Sequence, residues 1–194
     1  DSAVTEPAGV LPEEVWRGLM DDFSVGLGRR VHDLENAINY AEGREDKPDR
    51  GPAVLDRMKL ENPERLVQVD RMLALMSSEE QSLAHAMNMS FALVAGLAST
   101  GQLPGAITER QILDMLASQA PQMRASIRED LVLWNVYTYR DLPNDELDAY
   151  IDFLAEEPAQ KVYGALNAHM NAVMPPLVQG FATRVMEKMR QQEL

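Results

Sequence analysis

Apolar residues recur every three or four positions along most of the chain, and this periodicity constrains the fold more than any other feature. In the final third, for example, Val162, Leu166, Met170 and Val173 step by four, four and three. Such spacing places side chains on one face of an α-helix. Alternating β-branched runs and Asn-Gly or Asp-Gly hairpin turns, which would indicate strands, are not found between the apolar runs. The sequence therefore predicts an all-α protein.

Cap and turn signals divide the chain into seven or eight helices with short links. Each helix has an apolar stripe and a polar face, so we expect an antiparallel, bundle-like array with the stripes packed on one another. The stripe of the last helix continues through Leu177, Phe181 and Val185. Pro175 and Pro176 should kink this helix, because each lacks the N–H that the helical ladder needs. The stripes are no wider than the core of a monomer requires, which leaves the oligomeric state open.

The length of 194 residues fits one domain. We predict a flexible N-terminal lead over residues 1–11 and a single helical domain over 12–194. The polar segment at 43–52, GREDKPDRGP, is bounded by glycine and proline and predicts a mobile loop. The chain opens at Asp1 without an initiator methionine, which is typical of a mature protein after removal of a signal peptide. The expected location is the periplasm or the outside of the cell, and a chain shortened during preparation is the alternative.

The formal net charge of −13 limits the partners that this chain can bind. Binding to nucleic acid and to anionic membranes depends on surplus Lys and Arg, which the chain lacks, so both classes are disfavoured. Cysteine is absent, which excludes disulfides, thiolate catalysis and thiolate metal sites. Because no apolar run reaches membrane-spanning length, we expect no transmembrane segment.

An acidic helix is predicted to begin at Pro143 or Asn144. Its carboxylates Asp145, Asp148, Asp152 and Glu156 step by three, four and four, which places them on one helical face. Like charges on one face repel, and a divalent cation or a basic partner would relieve that repulsion. The alternative is a solvated face opposite the core.

Tyr137 and Tyr139 precede the acidic helix, and we treat them as candidates to line a crevice beside its start. Packing in the core is the alternative interpretation for both tyrosines. Together with the four carboxylates they form the candidate ligand or partner surface of the chain.

Candidate metal and catalytic groups give weaker patterns. The twelve methionines mostly fall on apolar stripes, where they fill gaps in a core, although thioethers can also bind Cu(I). The histidines His32, His85 and His169 are far apart, and the second Glu-x-x-His pair of a di-iron site is missing. No Gly-x-Ser-x-Gly or His-Glu-x-x-His motif occurs. We therefore assign no metal site, no cofactor and no catalytic residue.

One stretch resembles a known family. Glu146-Leu147, then Ile151 and Phe153, then Gln160-Lys161, and finally Met174-Pro175 in the last helix resemble the C-terminal signature of a family of bacterial periplasmic proteins. That family is classed only as a domain of unknown function. The chain departs from its pattern at Glu156-Glu157, where Ser-Pro is usual, and at Ala159, where Gly is usual. The resemblance covers about the C-terminal third and implies an all-helical periplasmic or secreted protein with no catalytic residues to transfer.

The residues together predict a non-enzymatic, all-α envelope protein that acts through protein–protein contact or as a small binding module. A partner with a basic surface would suit the acidic helix. A carrier of lipid or another apolar ligand, held between helices lined by Met and Phe, is the first alternative. A Met- or His-based metal-binding protein is the second.

Overall fold

The computed structural model describes residues 12–39, 41–98 and 108–192, and these residues form eight α-helices and no strand. The helices are α1 (Glu13–Ser24), α2 (Gly26–Asn39), α3 (Ala41–Glu61), α4 (Pro63–Leu75), α5 (Ser78–Ala98), α6 (Glu109–Thr138), α7 (Asn144–Leu154) and α8 (Glu157–Gln192). The predicted all-α class is confirmed. The N-terminal lead predicted over residues 1–11 lies outside the described residues.

The first break in the helical chain occurs at Val25, between α1 and α2. Val25 is extended, and Gly26 has a φ of 54°, in the left-handed region that favours glycine. Val25 thus separates α1 from α2, two helices that the apolar spacing alone would join into one.

The segment 43–52 is not the loop that its composition predicts, because α3 runs from Ala41 to Glu61 without interruption. Tertiary packing accounts for the difference. Gly51 is buried, and a Cβ added there would lie 3.2 Å from a methyl carbon of Leu133 on α6. Farther along the helix Met58 is buried in the core. Such packing outweighs the low helix propensity of glycine and proline. In α8, Pro175 and Pro176 also lie inside a continuous helix, and the kink there stays a prediction.

The chain divides into two compact units. Unit 1 comprises Asp1–Glu79 and Arg128–Ala165, and unit 2 comprises Glu80–Ile127 and Leu166–Leu194. Residues 12–194, predicted as one domain, therefore contribute to two units.

Unit 1 holds two clusters of buried apolar side chains. The first surrounds α7 and consists of Val31, Met72, Tyr139, Leu142, Leu147, Tyr150, Ile151 and Leu154. The second joins α3, α4 and α6 through Met58, Val69, Leu73 and Val136. Helical spacing places Leu147, Tyr150, Ile151 and Leu154 on one face of α7, and all four are buried.

A buried arginine fixes the turn between α6 and α7. Arg65 on α4 is only 1% exposed, and its guanidinium donates to the backbone carbonyls of Tyr139 and Leu142. It also donates to the side-chain oxygen of Asn144 at 2.8 Å. Asn144 in turn exchanges two 3.0 Å hydrogen bonds with Asn62, the residue before α4. Carbonyls at the end of a helix have no hydrogen-bond donor within the helix. Here the Arg65 guanidinium is the donor.

Candidate functional site

The predicted acidic face is interrupted in the structure. Asp145, Asp148 and Asp152 lie on α7, but this helix ends at Leu154 and Glu156 lies in the bend that follows. The prediction that all four carboxylates share one helical face is therefore wrong for Glu156. The reason is a helix restart, since Pro158 occupies the first turn of α8, where its missing N–H costs no hydrogen bond.

Two of the remaining carboxylates face arginines of α4. Asp152 accepts a hydrogen bond from Arg71 at 2.7 Å. Asp148 is half-buried, and its charge favours the protonated form of Arg65. Burial is nevertheless the largest influence on Arg65 and lowers the pKa of its guanidinium. Arginines of unit 1 thus offset part of the negative charge of the acidic face, so less of that charge is available to a basic partner.

The two candidate tyrosines lie in the core of unit 1, and neither lines an exposed crevice as predicted. Tyr137 is buried, with the Arg140 guanidinium 4.2 Å from the centre of its ring. Tyr139 is also buried, and its hydroxyl donates to the Glu35 carboxylate at 2.5 Å. The Tyr150 hydroxyl donates to the same carboxylate oxygen at 3.3 Å. Both tyrosines therefore follow the packing alternative.

The environment of Glu35 affects the ionisation of its tyrosine neighbours. Burial raises the pKa of Tyr139 and Tyr150 well above the ordinary tyrosine value, and the negative charge of Glu35 raises it further. The pKa of Tyr163 is raised too, chiefly by burial. These hydroxyls stay protonated and act as hydrogen-bond donors in a cluster that joins α2, α7 and α8. Among the described residues, no group of three or more His, Asp or Glu side chains is placed to hold a metal ion.

A different surface stands out in unit 2. Large apolar side chains follow one another along α8 at steps of three or four, and each is more than a third exposed, with Leu177 at 56% and Phe181 at 60%. We call this set the α8 apolar face. Its members are Leu166, Met170, Val173, Leu177, Phe181 and Val185. The sequence predicted this stripe but assigned it to the core, and the structure places it at the surface.

The α8 apolar face belongs to a part of the chain with very few charges. No Asp, Glu, Lys or Arg occurs between Lys161 and Arg184, or between Glu80 and Glu109. Unit 2 has five acidic and five basic residues and so no net charge, whereas unit 1 has 26 acidic and 13 basic residues and accounts for the whole net charge of −13. The charged residues are thus segregated between the two units.

Within unit 2, α8 packs against α5 through small residues. A Cβ added to Gly96 on α5 would lie 2.8 Å from the backbone oxygen of Gln179 and 3.0 Å from the Cβ of Ala182. Ala92 and Ala182 are both buried. Because the side of α8 that contacts α5 uses small side chains, the larger apolar ones of the same helix lie elsewhere on its circumference and remain exposed.

Comparison with protein-family models, with curated proteins and with solved structures found no match to this chain. The resemblance of its C-terminal third therefore stays an expectation. Within the described residues, none of the helices combines the length and the apolar character needed to cross a membrane.

Proposed function

We propose that this chain is a non-enzymatic protein-interaction module and that the α8 apolar face is its docking surface. The observation that carries the proposal is the exposure of six large apolar side chains on one face of α8, five of them within the charge-free stretch 162–183. The largest apolar patch on the surface of a soluble protein is often a functional site.

The distribution of charge supports the same proposal. Unit 1 carries the acidic surplus, which favours solubility. Unit 2 is neutral and presents apolar side chains, which is the composition expected at the centre of an interface, where charged residues are depleted. The acidic face of α7 is a weaker docking candidate, because Arg71 pairs with Asp152 and Glu156 lies off the helix.

A bacterial-envelope location is part of the proposal and rests on the family resemblance of the C-terminal third. Fractionation of cells that make the chain with its native upstream sequence tests it. Recovery in the periplasmic fraction or the medium is expected, and recovery only in the cytoplasmic fraction would contradict it.

Photo-cross-linking in living cells tests the docking surface. A photoreactive phenylalanine analogue replaces Phe181 in one variant and Leu60 in a second. Leu60 on α3 is a matched control because it is also an exposed apolar residue, at 85%, but belongs to unit 1. We expect defined cross-linked protein products from position 181 and none from position 60. Absence of products at 181, or the same products from both positions, would contradict the proposal.

A further inference from the structure

We infer that the partner of the α8 apolar face is a second copy of this chain, bound through the same face in antiparallel, two-fold symmetric fashion. The inference rests on the proposed docking function and adds the identity of the partner. Two features of α8 favour a second copy over other partners: its lack of charge and the spacing of its apolar side chains.

Charge selects among the possible partners. A basic or acidic protein can form no salt bridge with the segment 162–183, because this segment has no Asp, Glu, Lys or Arg. Helices that lie in a membrane surface usually carry Lys and Arg along their polar face, and this segment has neither. Two copies of the segment meet without bringing like charges together at the contact itself.

The spacing of the face suits contact with itself. In a two-fold symmetric interface, residue i contacts residue j of the partner, and j contacts i. Leu166 and Val185 lie equally far along the chain from the Pro175–Pro176 bond, and so do Met170 and Phe181. An antiparallel pair of α8 helices centred on this bond would therefore place Leu166 opposite Val185 and Met170 opposite Phe181 of the second copy, with Val173 and Leu177 near the centre.

The size of the face limits the strength of the contact. Twenty residues of helix extend about 30 Å, and a strip about 10 Å wide along them covers roughly 300 Å². A standard interface buries ~800 Å² on each partner. The dimer is therefore expected to be weak and to form only as concentration rises.

Sedimentation equilibrium of the purified full chain tests the identity of the partner. We expect the average mass to rise from one chain of 21.7 kDa toward two as concentration increases from ~10 µM to ~1 mM. The double variant Leu177→Glu/Phe181→Glu should stay at one chain, and Leu60→Glu should behave like the unmodified protein. A single-chain mass for the unmodified protein at every concentration overturns the inference, and so does unchanged association of the double variant.

Directed disulfides test the antiparallel arrangement, and the absence of native cysteine makes the readout clean. Oxidation of an equal mixture of Met170→Cys and Phe181→Cys chains should give mostly the mixed dimer. In an antiparallel pair two copies of position 181 lie about 16 Å apart along the helix axis, beyond the ~7 Å between Cα atoms that a disulfide spans. Predominant 170–170 and 181–181 products would overturn the antiparallel arrangement.

Failure of this inference is distinguishable from failure of the proposed function. Cross-links from position 181 to a protein of a different mass, together with a single-chain mass of the purified protein, overturn the second copy as partner and leave the docking surface standing. Loss of all cross-links from that position overturns both.

Discussion

Arg65 and Asn144 are joined by a 2.8 Å hydrogen bond that links α4 to the first residue of α7. The same guanidinium is bonded to the carbonyls of Tyr139 and Leu142. One side chain thus connects the end of α6, the turn after it and the start of α7. The turn joins these two helices along the chain, so its geometry helps to set where α7 places its buried stripe.

Replacement of Arg65 should therefore be costly. We expect Arg65→Met to lower the free energy of unfolding by about 3 kcal/mol, because buried acceptors lose their donor. Arg71→Met is the matched control on the same helix, since Arg71 is half exposed in its pair with Asp152, and it should cost less than about 1 kcal/mol. Urea denaturation followed by circular dichroism measures both. Equal losses of unfolding free energy in the two variants would show that burial of the guanidinium does not determine how much an arginine contributes to stability.

Gly96 offers a test of the packing between α5 and α8. We expect Gly96→Ala to destabilise the protein by about 1–3 kcal/mol, because the new methyl would lie 2.8 Å from a backbone oxygen that cannot easily move. Gly180→Ala on α8 meets nothing within 4 Å and should be neutral or stabilising by up to about 1 kcal/mol. Thermal unfolding of the two variants gives the comparison, and a stabilised Gly96→Ala would refute the close approach of the helices.

Gly26 tests the break between α1 and α2. Because its φ is 54°, Gly26→Ala should destabilise the protein by about 1–2 kcal/mol. Gly18→Ala in α1 introduces the same methyl where nothing lies within 4 Å and should be stabilising by up to about 1 kcal/mol. Urea titrations measure the free energy of unfolding of both variants. If both variants are stabilised, α1 and α2 form one continuous helix.

The tyrosines around Glu35 predict a loss of stability in alkali. Their pKa is raised in the folded state, so their contribution is present in full below the unfolded value of 10.0. Above about pH 10 the unfolded chain releases its tyrosine protons first, and the free energy of unfolding falls by about 1.4 kcal/mol per pH unit for each such tyrosine. Tyr139→Phe removes one of these groups.

The free energy of unfolding of Tyr139→Phe should therefore fall less steeply between about pH 10 and 11.5, by about 1.4 kcal/mol per pH unit. Urea titrations across this range measure the two slopes. The comparison is independent of any stability that the variant loses at neutral pH with its hydrogen bond to Glu35. Identical slopes would contradict the raised pKa of Tyr139.

The sequence predicted the fold class and the start and apolar stripe of α7, because these follow from local spacing and caps. Its errors share a physical cause. Gly51 and its neighbours form helix in α3 because a distant residue, Leu133, packs there, and no local rule contains that contact. Arg65 resembles any surface arginine in the sequence, and only the fold brings the carbonyls of Tyr139 and Leu142 to it.

The candidate surface was the harder part to predict. Periodicity identifies an apolar stripe on α8 but does not say whether another element covers it, so Leu177 and Phe181 were assigned to the core. For Tyr137 and Tyr139 the sequence leaves a crevice and core packing both open, and in the structure both side chains are buried. Exposure depends on the arrangement of all the helices, which local spacing does not specify.

The separation of charge between the two units also bears on how such a protein can evolve. If the α8 apolar face is the docking surface that we propose, substitutions on it would alter recognition without touching the acidic residues of unit 1, and those residues could be exchanged without changing what unit 2 recognises. Solubility and binding would then be encoded in different stretches of the gene, and each would be open to selection on its own.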